Sequence, residues 1–130
     1  MAPAIMQQVR DFALQFARAM IAEDFAAAYE LTGAIYRPKT SPALLAEEWR
    51  RMIPSDWGPM THVEADPEPQ DLLTDIEDIA AILLEDQPID VIYVYVSLAG
   101  DKYPYSEALY ILVTLEGGAL RAGDVYFGRP

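Results

Sequence analysis

A chain of 130 residues lies in the usual range for one domain, and 52% hydrophobic against 23% charged residues separates it from disordered chains. It contains no cysteine, which excludes disulfide, zinc-thiolate and thiol chemistry. With a formal net charge of -12 and nine scattered lysines and arginines, it lacks the basic surface that a phosphate backbone or an anionic membrane requires.

The opening residues, Met1-Ala2-Pro3-Ala4-Ile5, show no basic segment followed by an apolar core, and no run approaches the ~20 apolar residues of a membrane span. A cytoplasmic single domain spanning 1–130, with no membrane contact, no nucleic-acid partner and no cofactor, is the expectation. An acidic surface of this kind mainly keeps a protein soluble, although it also steers a basic partner protein.

Taken in chain order, Ile5, Val9, Phe12, Phe16 and Met20 recur at steps of three and four, with Ala13 and Ala17 beside them. Gln8, Arg10, Asp11, Gln15 and Arg18 lie opposite, so a first helix buries one stripe. Asp24 predicts the cap of a second helix over 25–31, narrow at Ala26, Ala27 and Ala28 and closed by Gly33. A third helix starts at Ser41-Pro42, buries Leu45, Trp49, Met52 and Ile53, exposes Glu47, Glu48, Arg50 and Arg51, and stops at Pro54. Residues 55–59 read as a turn and 60–65 as a first strand.

Residues 71–85 fit two structures. Leu72, Ile76, Ile79, Ala80 and Leu83 have helical spacing, whereas 79–84 also suits a short buried strand; the longer period favours the helix. From Asp90 the period becomes two. Residues 91–98 set Ile92, Val94, Val96 and Leu98 against Val91, Tyr93, Tyr95 and Ser97. Residues 107–115 set Leu109, Ile111, Val113 and Leu115 against Ala108, Tyr110, Leu112 and Thr114. Gly117-Gly118 predicts a tight hairpin into a last strand over 120–127, in which Gly123 marks a bulge. Both faces of this meander are apolar or aromatic, so both are expected to be covered. The fold class is α+β, with the amino-terminal helices packed on a strongly curved antiparallel sheet.

This order resembles the nuclear transport factor 2-like superfamily, also called cystatin-like. The resemblance rests on Asp11-Phe12-Ala13 leading to Ala22-Glu23-Asp24-Phe25-Ala26-Ala27-Ala28-Tyr29, on Ser41-Pro42-Ala43-Leu44-Leu45, and on the closing hairpin over 108–128 with its ending Phe127-Gly128-Arg129-Pro130. Residues 71–85 depart from it, since the usual plan has a shorter link there. The resemblance implies a cone-shaped cavity between sheet and helices and, in many members, a homodimer formed through the outer sheet face. It says little about activity, because isomerases, dehydratases, cyclases and transport adaptors share the fold.

Among candidate chemical groups, His62 is the lone histidine, with Glu64 two residues on and so on the same strand face. Dehydratases of the scytalone type pair histidines with an aspartate; here no second histidine exists. Isomerases of the ketosteroid type pair tyrosine with a neutral aspartic acid. No carboxylate sits inside an apolar strand run where its pKa would be raised; a buried Asp124 close to Tyr110 or Tyr126 would favour that chemistry, yet no residue of that family maps onto this chain one by one. The acidic stretch from Glu64 to Asp90 contains no calcium loop, and no glycine pattern suits phosphate.

The tyrosines, Tyr93, Tyr95, Tyr103, Tyr105, Tyr110 and Tyr126, are the most distinctive group. They suit a dimer contact best, ahead of plain cross-strand packing or a ligand pocket. Trp49, Tyr93, Tyr95, Tyr110 and Tyr126 are therefore the candidate binding residues, with no catalytic or metal residue assigned. The expected function is a non-catalytic domain that binds a small apolar molecule or a protein, as a homodimer. The alternative is a cofactor-independent lyase or isomerase working in the cone cavity.

Overall fold

A computed structural model describes residues 4–54, 56, 58–65, 89–102 and 106–128. The helix-or-strand question at 71–85 lies outside the described residues, as do Tyr103 and Tyr105. Helices α1 (Ala4–Ile21), α2 (Phe25–Glu30) and α3 (Pro42–Met52) precede strands β1 (Met60–Ala65), β2 (Ile89–Gly100), β3 (Glu107–Glu116) and β4 (Ala119–Phe127). The strands form an antiparallel meander in the order β1-β2-β3-β4, which among the described residues does not close into a barrel. The chain is thus α+β, with its helices on one face of the sheet.

The caps read from sequence are in place. The Asp24 carboxylate accepts from the Ala27 amide at 3.2 Å, and the Ser41 hydroxyl accepts from the Leu44 amide at 3.1 Å. Val9, Phe16, Ala17 and Met20 of α1 and Leu45 of α3 are fully buried against Ile92, Val94, Val96, Leu109, Ile111 and Val113 of the sheet. Period 3.6 on the helices and period two on the strands point the same residues at one core. Arg10 fastens α1 to the end of β1 by donating to the Ala65 carbonyl at 2.9 Å.

Each strand ladder carries one register shift, at Thr61, Val91 and Gly123. An extra residue bends its strand and raises the local twist. At Gly123 the reason for glycine is plain: a Cβ there would collide with the Thr114 methyl. Gly117 and Gly118 have φ of 56° and 83°, the positive values that a two-residue hairpin between right-twisted strands demands.

Two local expectations change. Gly33 does not close α2 with a left-handed turn; Leu31 does so in the right-handed region, with φ -88°, and its amide reaches the Ala28 and Tyr29 carbonyls. Gly33 is small for another reason. Its amide donates to the Ala122 carbonyl at 2.8 Å, and a Cβ would strike the Glu116 carboxylate. Nor does α2 present a wall of alanines: Phe25 and Ala28, three residues apart, are buried, Tyr29 packs partly against the core, and Ala26 and Ala27 are exposed.

Residues 31–33 lie alongside β4. The Ala122 amide donates to the Leu31 carbonyl at 2.8 Å, which completes a parallel bridge between Thr32 and Ala122. Arg37 locks this segment from behind, donating to the carbonyls of Glu30 at 3.1 Å, Thr32 at 3.2 Å and Tyr29 at 3.4 Å while its guanidinium lies over the Tyr29 ring. It shares the carbonyls at the end of α2 with Arg121, which donates to the Glu30 carbonyl at 3.1 Å, and with Thr32, whose amide and hydroxyl both reach the Tyr29 carbonyl. Arg37→Ala is predicted to lower unfolding free energy by about 1–3 kcal/mol, measured by urea denaturation. A loss within ~0.5 kcal/mol would show that these bonds contribute little.

Candidate functional site

Alternation sends one set of strand side chains away from the helices. Pairing places Tyr95, Tyr110 and Tyr126 in one row across β2, β3 and β4, and Tyr93, Leu112 and Asp124 in the next. The Tyr93 and Tyr110 rings stack with centroids 5.1 Å apart and planes within 6°. Tyr126 tilts against both, with centroids 6.5 Å from Tyr93 and 6.4 Å from Tyr110. Aromatic pairs at these separations gain about 0.5–1.5 kcal/mol beyond the area they bury. Ala108 and Leu112, between the tyrosines, are buried yet stand outside the helix-side core. Tyr126, on the edge strand, is 46% exposed.

Four of the five candidate residues therefore share one face. Trp49 does not join them. It is 4% exposed and continues the core stripe of α3 with Leu45 and Ile53, touching only a small cleft of about 180 Å³ near Met60. An aromatic at helical spacing has two readings, and here the core stripe prevails.

The carboxylate that acts on this group is that of Asp124. Asp124 is half-buried, and its Oδ1 accepts from the Val125 amide at 2.9 Å. Its charge, with Tyr93 next, raises the Tyr126 phenol above its ordinary value. Tyr36, a residue that the periodicity did not single out, lies buried in the turn before α3. Burial pushes its phenol up to about 12; the neighbouring Thr40 works the other way, while Glu48 and Asp124 add to the rise.

Beside this group a groove of about 580 Å³ runs between α3 and β4. Glu48, Arg51 and Met52 line it from one stripe of the helix, Val125, Tyr126 and Phe127 from the strand, and Glu107 from the start of β3. Arg51 is held by Glu47 of its own helix at 2.6 Å. His62 stands well apart on β1, exposed, with the Thr61 hydroxyl 2.8 Å from its Nδ1. Among the described residues no three metal-ligating side chains gather, and no helix is long and apolar enough to cross a membrane.

No protein-family model, curated protein or solved structure matches this chain. The functional reading therefore rests on the geometry of this one structure.

Two outcomes follow. The folded chain holds the Tyr36 proton up to about 12, whereas an unfolded chain releases it near 10.0. Its contribution to stability is complete below pH 10 and is lost as pH rises toward 12. Tyr36→Phe should flatten the fall in unfolding free energy across that window, and an unchanged slope would remove the assignment. His62→Ala should leave stability within about 0.5 kcal/mol by thermal unfolding, as expected for an exposed side chain; a larger loss would mean that His62 has a structural role.

Proposed function

We propose that this chain is a non-catalytic binding domain, built on a cone-shaped sheet of the nuclear transport factor 2-like type, that pairs with a second copy through its tyrosine face. The observation that carries the reading is the aromatic group of stacked Tyr93 and Tyr110 with Tyr126 tilted against them, and Tyr95 in the same row as Tyr110, on the side of the sheet away from the helices.

Charge supports it. The chain carries -12, but Tyr93, Tyr95, Ser97, Ala108, Tyr110 and Leu112 form a neutral field at the middle of this face, with Asp124 at one margin and the exposed Glu64, paired with Ser97, at the other. Interface cores are depleted of charge and enriched in tyrosine, which offers a large apolar area with a polar tip. Two acidic molecules repel one another least where such fields meet.

A lyase or isomerase in the cavity is the other reading, and it requires ionisable groups facing each other on the helix side. There, among the described residues, Phe16, Met20, Ile92, Val94 and Ile111 fill the space; the buried side chains with a hydroxyl are Thr32, Thr114 and the protonated Tyr36 phenol, and none of the buried residues is a carboxylate. This lining supports binding over catalysis.

Light scattering coupled to size exclusion tests the pairing. The predicted species has twice the 14.5 kDa chain mass, and Tyr93→Lys with Tyr95→Lys should shift it to monomer with its far-UV circular dichroism intact. A monomeric parent protein at high micromolar concentration would refute the reading.

A further inference from the structure

We propose that the end of β4 around Phe127, whose outward backbone groups meet no partner among the described residues, accepts an extended basic peptide as an added strand together with the groove beside α3.

The hydrogen-bond phase of β4 is fixed at both ends. Gly128 donates to the Ala108 carbonyl at 2.9 Å, so Gly128, Tyr126 and Asp124 face β3, and Val125 and Phe127 face outward. Beyond the bulge, the outward residue Ala122 is taken by residues 31–33. The bulge therefore divides the strand into a covered half and an open half. In the open half the Val125 amide is held by the Asp124 side chain. Val125 is itself buried, 6% exposed, so the accessible outward groups are the amide and carbonyl of the half-buried Phe127, which meet no partner among the described residues. Edge strands with free backbone groups are templates for another strand.

The groove supplies what such a strand needs besides backbone. Met52, Val125 and Phe127 give an apolar floor for alternate side chains, and the α3 stripe gives a second wall. Charge decides the occupant. Glu48 is exposed on the rim and Asp124 stands at the strand edge, while Arg51 is neutralised by Glu47. A second copy would bring a further -12 and its own Asp124 and Glu48 to the contact. A lysine- or arginine-bearing segment is drawn in by the same field. Asp124 thus has a double effect: it guards the edge against self-pairing and favours a cationic strand.

The probe is an acetylated, amidated six-residue peptide of alternating valine and lysine, titrated into the ¹⁵N-labelled full chain. The expected result is chemical-shift change confined to Val125, Tyr126, Phe127 and the α3 stripe, with exchange of the Phe127 amide slowed at least tenfold. A copy of the peptide with N-methylated valines keeps the charges but loses outward donors, and should bind at least tenfold more weakly. Phe127→Pro removes an outward amide without touching the β3 ladder and should weaken binding tenfold or more. Glu48→Lys, on an exposed helix face, should weaken it while leaving the fold intact, which keeps the test valid if the proline variant does not fold. Tyr95→Ser, which removes area from the tyrosine face, adds no charge and lies outside the groove lining, should leave peptide binding unchanged, so failure of the tyrosine pairing and failure of strand addition are separable. No peptide binding, equal binding of the N-methylated peptide, or unchanged Phe127 exchange with peptide bound would overturn the proposal.

Discussion

The short pairing of residues 31–33 with Ala122 organises everything around it. It ties the end of the helical half to the last strand, two segments far apart in sequence, through two backbone bonds of 2.8 Å. A sheet edge must be paired, covered or guarded, and this contact covers one half of β4 only. Because α2 is fastened there, the turn carrying Tyr36 and the start of α3 follow at a set height above the strand. The groove, the open edge around Phe127 and the partial shielding of Asp124 are consequences of where that seam stops.

Arg37 and Glu116 hold the seam from its two sides. Arg37 gathers the carbonyls at the end of α2, and Glu116 accepts from the Ala34 amide at 2.9 Å and from the Thr114 hydroxyl at 3.0 Å. Thr32 and Thr114, the two buried polar residues among those described, both have partners there. A polar cluster this well satisfied specifies one docking of helix against strand, because a shifted arrangement would strand its donors without water.

Much of this was legible in the sequence where the signal is local. The stripe from Val9 to Met20, the caps at Asp24 and Ser41, the two-residue hairpin at Gly117-Gly118 and the bulge at Gly123 each follow from the preferences of neighbouring residues. The tyrosine face was legible too, since period two alone puts Tyr93 and Tyr95 opposite the core set. What was not legible depends on contacts between distant segments. Gly33 looks like a helix exit until Glu116 is seen against it. Tyr36 and Arg37 belong to no periodic run, so neither the buried phenol nor the capping guanidinium had a pattern to announce it. Trp49 satisfied the spacing of a core stripe and the chemistry of a binding residue together, and only packing separates the two.

Native-state amide exchange measures the division of β4 most directly. The Gly33 and Ala122 amides, bonded across the seam, should exchange only through large-scale unfolding, whereas the Phe127 amide of the unliganded chain should exchange orders of magnitude faster. Equal rates for Gly33 and Phe127 would contradict the seam, and with it the account of why one half of the strand is closed and the other open.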